Sequence, residues 1–111
     1  MTNDATMAPI ADPVGPVLQA GELAEAVAAA AEIDNPGRRV EVRGRGSYVR
    51  IEVDGGECIL RRATIAEQLG RPFQMRDLEI NMPSFVGRIE TGTEQIRFWL
   101  APRTTTQEGS A

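Results

Sequence analysis

The spacing of apolar residues changes along the chain, and each change predicts a different element. From Gly21 to about Ile33 the spacing is helical, and the glutamates of this segment fall on the opposite side. Asp34-Asn35-Pro36-Gly37 ends the helix, because proline disfavours the α conformation in the residue before it. The predicted buried positions are Leu23, Ala26, Val27, Ala30, Ala31 and Ile33, and we expect the alanine run to serve close helix packing.

Alternation of apolar and polar residues marks the first two of three predicted strands, and a turn leads from the second into the third. Their predicted bounds are 39–43, 48–53 and 57–61. Asp54-Gly55-Gly56 lies between the second and the third and is a typical hairpin turn. We therefore expect these strands to form one antiparallel unit.

Two further strand regions flank this unit. Val14 to Ala20 is short and apolar, and its Pro16 permits an edge or first-position strand rather than a central one. Near the end, 87–91 and 95–100 are predicted to form a hairpin around Gly92-Thr93-Glu94. In its second strand Trp99 points away from Ile96 and Phe98, which leaves two interpretations, an exposed interface anchor or covered core.

A second helix is predicted between these strand groups. Thr64-Ile65-Ala66-Glu67 matches a capping box, which starts a helix over 65–69 that Gly70 closes. The order is thus strand, helix, three strands, helix, two strands. It predicts an α+β fold of two strand-helix-strand motifs, with small helices packed on antiparallel strands. We expect one domain over 14–102, a disordered tail at 1–13 and a flexible tail at 103–111.

One apolar stretch, residues 71–88, shows neither helical nor strand periodicity. It follows a helix that stops at Gly70, and it ends near Gly87, where the chain is predicted to become extended again. We interpret it as a contact surface for a partner, because its side chains lack the pattern of a core. Within it, Phe73, Leu78 and Ile80 are predicted to anchor the stretch from beneath.

Composition limits the chemistry that the chain can perform. It has no histidine, all twelve of its basic residues are arginine, and Cys58 is its only cysteine. The usual general base, the commonest metal ligand and any internal disulfide are therefore missing. We predict no catalytic residues, no cofactor and no metal, and a buried free thiol at Cys58. The acids at Glu57, Glu67, Asp77, Glu79, Glu90 and Glu94 are expected to form a solvated face rather than a catalytic pair.

Charge is unevenly distributed. The net charge is −4, yet residues 38–76 carry nine arginines and five acids. With so few aromatic residues, this zone favours a protein interface over nucleic acid. The sequence shows no signal-peptide pattern and no long apolar run, so we expect a cytoplasmic protein without membrane contact. We also expect the chain to be monomeric when free.

Several segments together resemble a known family. They are Asp34-Asn35-Pro36-Gly37, Tyr48-Val49-Arg50-Ile51, Thr64 to Phe73, Leu78 to Arg88 and Gln95-Ile96-Arg97-Phe98. Their order and spacing are similar to those of the effector, or coupling, proteins of soluble bacterial di-iron monooxygenases, most closely the toluene and alkene branch. The resemblance implies a loosely ferredoxin-like fold and a cofactor-free protein. Such a protein binds the di-iron hydroxylase over its active-site entrance and couples electron delivery and O2 activation to hydrocarbon hydroxylation or epoxidation.

The resemblance also implies a site. Pro83 departs from the small serine or alanine frequent in relatives, and its fixed φ and missing N–H are expected to stiffen the segment. The implied hydroxylase-interface residues are Asn81, Met82, Pro83, Ser84, Phe85, Gly87 and Arg88. Two other classes stay open at this point: a small cytoplasmic protein-protein interaction module unrelated to oxygenases, and a small independent enzyme, which the missing histidine and lysine disfavour.

Overall fold

The structure, a computed structural model, describes residues 11–101. Most of the two predicted tails lies outside the described residues, so the domain boundaries stay a prediction. The helices are α1 (Glu22–Asp34), α2 (Arg62–Leu69) and α3 (Met75–Ile80). The strands are β1 (Gly15–Gln19), β2 (Val40–Arg45), β3 (Tyr48–Val53), β4 (Glu57–Arg61), β5 (Ser84–Val86), β6 (Arg88–Thr91) and β7 (Gln95–Trp99). The predicted α+β class is confirmed. None of the helices between residues 11 and 101 is long and apolar enough to cross a membrane.

The strands form two antiparallel sheets. Sheet 1 has the order β2-β3-β1-β5, and sheet 2 has the order β4-β7-β6. The prediction that β1 is not a central strand is wrong; its Pro16 is tolerated because pairing with β3 begins only at Val17. The predicted hairpin between β3 and β4 is also wrong, because β4 pairs with β7 instead. Where the chain crosses from β3 of sheet 1 to β4 of sheet 2, the backbone N–H groups of Gly55 and Gly56 donate to the carbonyls of Ala11 and Asp12, each at 2.9 Å. These bonds hold the Asp54-Gly55-Gly56 turn away from simple strand pairing and lead the chain into sheet 2.

Gly87 marks the second crossing from sheet 1 into sheet 2. It separates β5 of sheet 1 from β6 of sheet 2 and has a φ of 103°. A Cβ atom at this position would lie 2.9 Å from the carbonyl oxygen of Trp99 and 3.1 Å from Val14 Cγ1. Glycine is required here for both conformation and space.

One hydrophobic core takes side chains from both sheets and from α1, α2 and α3. On α1 the inward residues are mostly small, as predicted, which lets this helix approach its neighbours closely. The prediction that Ile33 is buried is wrong, because the residue is 54% exposed. Asp34 takes the last inward position of the helix instead. The fully buried large side chains include Leu18, Ile51, Leu60, Ile65, Leu78, Ile96 and Phe98.

The capping box at Thr64 is not formed. Helix α2 begins earlier, at Arg62, so Thr64 lies inside its first turn. The Thr64 hydroxyl donates instead to Asp34 Oδ1 at 2.8 Å, and this tertiary contact replaces the local cap. The predicted end is confirmed, because Gly70 adopts the left-handed conformation and its N–H donates to the Ala66 carbonyl.

The C-terminus of α1 is joined to the edge of sheet 2 by buried polar side chains. Asn35 Oδ1 accepts the backbone N–H of Ile59 at 2.9 Å, and its Nδ2 donates to the Ile59 carbonyl at 2.8 Å. The same Nδ2 also donates to the carbonyl of Ala31. Asp34 Oδ2 accepts the N–H of Arg61 at 2.8 Å. The Asn35 amide thus occupies the place of a neighbouring strand residue along the otherwise open edge of β4.

Replacing Asn35 should destabilise the whole domain. Asn35→Ala removes three hydrogen bonds and leaves the Ile59 backbone without a partner, so we expect a loss of about 2–4 kcal/mol in the free energy of unfolding. Urea titration followed by circular dichroism measures it. Asn81→Ala is the control, since it removes a single exposed side-chain bond and should cost less than about 1 kcal/mol. Equal losses in the two variants would contradict the assignment.

Cys58 lies in β4 with its side chain in the core, so the predicted buried free thiol is confirmed. Burial raises the pKa of this thiol to about 12, and the nearby carboxylate of Asp34 adds to the effect. A thiol with so high a pKa carries almost no thiolate at neutral pH, and thiolate is the reactive form.

We therefore expect Cys58 to resist thiol reagents at pH 8 until the chain unfolds. Because its folded pKa is raised above the ordinary value of 9.0, its contribution to stability should fall as pH rises from about 9 towards 12. Labelling with a chromogenic disulfide in native buffer and in urea tests the first point. Rapid labelling of native protein would show that the thiol is accessible.

Candidate partner-binding surface

The stretch 71–88 contains a short helix that its sequence pattern did not reveal. Helix α3 covers only six residues, and Met75 and Leu78, three positions apart, point into the core. Phe73, just before the helix, is also buried. The interpretation that this stretch lacks core residues is therefore wrong for its first half, whereas Phe73 and Leu78 are confirmed as anchors.

Ile80 is the exception among the predicted anchors. It is 73% exposed, more than any other large hydrophobic residue between residues 11 and 101. On α3 it lies two positions beyond buried Leu78, which turns it towards solvent. Ile80 therefore belongs to the surface, directly before the predicted interface residues. A six-residue helix gives too few turns for periodicity to reveal this.

Asn81 ends α3 and ties it to sheet 1. Its N–H donates to the Leu78 carbonyl at 3.1 Å, and its Nδ2 donates to the Asp77 carbonyl at 2.8 Å. Its own carbonyl accepts the N–H of Gln19, at the end of β1, at 3.1 Å. The half-buried Asn81 is thus held on both sides, and the direction in which the chain leaves the helix is set.

The next residues form the outer strand of sheet 1 rather than a loop. Met82 is half-buried against the core, and Pro83 is exposed immediately before β5. In β5, Ser84 lies opposite Val17 of β1. Pairing with β1 supports the backbone on one side and leaves the other side at the edge of the sheet. Residues 84–86 therefore present a preformed edge next to Ile80 and Asn81.

Phe85 belongs both to this surface and to the core. Its residue is 39% exposed, while its ring lies 5.8 Å from the ring of buried Phe98, at an interplanar angle of 50°. This tilted geometry is favourable for an aromatic pair. Phe85 lies on sheet 1 and Phe98 on sheet 2, so the pair connects the two sheets at the end of the segment Ile80 to Phe85, which we call the candidate surface.

Gly87 and Arg88 follow at the crossing into sheet 2. Gly87 is half-buried beneath the backbone of Trp99, whereas Arg88 is exposed opposite Trp99 in the ladder of β6 and β7. Trp99 itself is half-buried, and the Arg97 guanidinium lies 4.5 Å from its ring centroid. Arg97 Nε in turn donates to Glu57 Oε2 at 2.7 Å. The geometry lies between the two interpretations of Trp99, since the residue is neither fully exposed nor part of the buried core.

A separate open cleft of about 870 Å³ lies against α3. It runs between residues 72–79 and the turn at residues 91–94. Arg62 spans it, with its Nη2 3.0 Å from Glu94 Oε1 and its Nη1 3.4 Å from the Phe73 carbonyl. None of the predicted interface residues lines this cleft.

Some of the acidic side chains that were predicted to be solvated are paired with arginines. Between residues 11 and 101, no group of three or more acidic or cysteine side chains is placed to hold a metal ion. Of the predicted solvated acids, Glu57 and Glu94 form ion pairs with Arg97 and Arg62.

Comparisons with known proteins agree with this description. The chain is 46% identical over 86 residues to the effector subunit of the alkene monooxygenase system of Xanthobacter autotrophicus, covering 78% of this chain and 84% of that protein. Its fold is similar to the structure of a phenol hydroxylase–regulatory protein complex, with a TM-score of 0.66 at 22% identity. That match covers 80% of this chain and 98% of the other.

A second solved structure has the same fold. The soluble methane monooxygenase regulatory protein B matches with a TM-score of 0.59 at 19% identity, covering 98% of this chain and 83% of that one. The model of the MmoB/DmpM family matches residues 12–99, which include both sheets, the three helices and the whole candidate surface. The chain belongs to the MmoB/DmpM family.

Proposed function

We propose that this chain is the non-catalytic effector subunit of a multicomponent hydrocarbon monooxygenase and acts by binding the di-iron hydroxylase component. The observation that carries the proposal is the 46% identity to an alkene monooxygenase effector subunit over most of both chains. The chain also lacks histidine and lysine, so it has neither the common general base nor an amine nucleophile. Its contribution to the reaction is therefore made through binding.

Binding alters a partner only through a difference in affinity. An effector favours one conformation of the hydroxylase over another by no more than the difference between its binding free energies for the two. Coupling of electron delivery and O2 activation to substrate oxidation then follows from the population of the favoured conformation. A rigid binding surface is suited to this task, because little binding energy is spent on ordering it.

The candidate surface, Ile80 to Phe85, has this rigidity. Asn81 is fixed through three hydrogen bonds, and β5 is paired with β1. Pro83 adds a fixed φ between them. We propose that the candidate surface contacts the hydroxylase, together with Arg88, and that Gly87 contributes by shaping the crossing.

The complex is proposed to act in the cytoplasm, with the chain monomeric when free. The buried free thiol of Cys58 is compatible with a reducing compartment. No nucleic acid or membrane partner is part of the proposal.

The proposed function predicts that added chain stimulates a hydroxylase that turns over poorly without it. Purified hydroxylase and reductase components should oxidise an alkene or aromatic substrate faster, with less wasted reductant, when the chain is titrated in. Product formation and reductant consumption are measured in parallel. Unchanged values of both at saturating chain would contradict the proposal.

Ile80 should be an affinity anchor of the candidate surface. We expect Ile80→Ala to weaken hydroxylase binding about 10-fold, because an exposed aliphatic side chain that becomes buried in a complex contributes roughly 1–2 kcal/mol. Ile33→Ala is the matched control, since Ile33 is 54% exposed but lies at the end of α1. Titration calorimetry gives both affinities. If the two variants bind the hydroxylase equally well, the assignment of the candidate surface to the interface is wrong.

Phe85 and Asn81 should separate folding from coupling. Phe85→Ala removes half of the pair with Phe98 and should lower the free energy of unfolding by about 1–3 kcal/mol. Asn81→Ala should leave the domain nearly as stable as the original, yet change coupling or product distribution at saturating concentration. Thermal unfolding and product analysis measure the two effects. Normal coupling and products with saturating Asn81→Ala would remove Asn81 from the site.

A further inference from the structure

The outer face of sheet 1 carries a cationic cluster that the proposed function does not use. Arg43 and Arg45 on β2 lie directly opposite Arg50 and Tyr48 on β3, and Val17 on β1 lies opposite Arg50. We call these five residues the arginine face. All three arginines and Tyr48 are exposed, and with Val17 they line a shallow depression of about 320 Å³.

The charges on this face are only partly balanced. Arg43 lies directly opposite Arg50, an arrangement that by itself costs stability. Glu52 offsets this cost, with its carboxylate 3.0 Å from Arg43 Nε and 3.7 Å from Arg50 Nη1. Arg45 has no carboxylate within ion-pair distance among residues 11–101.

The neighbouring Glu41 is held by arginines as well. A hydrogen bond from Arg39, with further attraction from Arg43, holds the pKa of Glu41 below its usual range. Glu41 therefore stays ionised, and β2 and β3 together carry three arginines and two glutamates, an excess of one positive charge on a chain that is acidic as a whole.

The arginine face is continuous with the candidate surface. Across sheet 1, Arg43 lies opposite Arg50, Arg50 opposite Val17, and Val17 opposite Ser84. Residues directly opposite in antiparallel strands point to the same face of a sheet. A single row therefore runs from the cationic cluster to the edge strand that the proposed function places against the hydroxylase.

We propose that the arginine face docks on an acidic surface of the hydroxylase and speeds formation of the complex. This inference rests on the proposed function. Arginine suits the role because its planar guanidinium binds a carboxylate through two parallel hydrogen bonds and it is enriched at protein interfaces. Complementary charge acts mainly on the association rate, and salt weakens it.

A protein partner fits this face better than nucleic acid. The chain carries a net charge of −4, and Tyr48 is the one aromatic residue on the arginine face. Binding of nucleic acid draws on a wider positive field and on stacked aromatic side chains. A carboxylate-bearing protein surface needs only the local cluster and the apolar contact that Val17 provides.

The test measures association of the full chain with the hydroxylase by stopped flow at two salt concentrations. The double variant Arg45→Gln/Arg50→Gln leaves the Arg43 ion pairs in place, so we expect the fold to be retained. Its association rate constant at low salt should fall about 10-fold, with dissociation within about twofold of the original. At high salt the difference should shrink to about twofold, because screening removes the advantage.

The matched control is Arg61→Gln/Arg71→Gln. It removes the same charge from exposed side chains outside the arginine face, and the one ion pair it breaks, to Glu22, is exposed on both sides. Its association rate and salt dependence should stay near those of the original chain. Circular dichroism of both double variants verifies that they are folded.

Equal association rates and equal salt dependence in the two double variants would overturn the inference while the proposed function stands. The inference also fails if Arg45 and Arg50 affect only binding to a DNA duplex, or only self-association in sedimentation. If the unmodified chain neither binds nor stimulates the hydroxylase, the proposed function and this inference both fail.

Discussion

The hydrogen bonds between the end of α1 and the edge of β4 are the constraint on which the two-sheet arrangement depends. A three-stranded sheet has two open edges, and an open edge leaves backbone N–H and carbonyl groups without partners. Asn35 satisfies both groups of Ile59 with one side chain, and Asp34 accepts the next outward N–H, that of Arg61. Because Asp34 also accepts from Thr64, the same two residues position β4 and the start of α2.

This local bonding has consequences at the opposite end of the domain. With β4 held against α1, the strand after it in space is β7, and the last hairpin completes sheet 2. The chain must then cross from sheet 1 into sheet 2 once more, and Gly87 makes this second crossing in little space. Helix α3 and β5 lie immediately before that crossing, so the candidate surface is held at the edge of sheet 1 instead of on a free loop.

Local patterns in the sequence were sufficient for elements with enough turns or alternations, such as the long helix and its neighbouring strands. The pairing of strands was harder to predict from the sequence, because Asp54-Gly55-Gly56 is compatible with a hairpin and with a crossing between sheets. Only its tertiary hydrogen bonds decide between the two.

The candidate site was predicted by resemblance to a family, whereas its internal organisation required the structure. Periodicity could not resolve a six-residue helix followed by a three-residue strand, so Met75 was not identified as core and Ile80 was assigned to the wrong side. The charge distribution indicated a basic zone, but only the register of β2, β3 and β1 shows that its arginines meet on one sheet face.

An effector that meets a large partner has to satisfy two demands that call for different chemistry. Fast encounter favours exposed charge acting over about 10 Å, while discrimination between two partner conformations favours short-range contacts of fixed geometry. In this domain the two lie side by side on sheet 1, with arginines on β2 and β3 and a fixed apolar edge at β5. Since β1 pairs with both β3 and β5, the cationic strands and the edge strand share one rigid support. In the proposed complex, charge that guides the approach would also set the orientation in which the edge strand arrives.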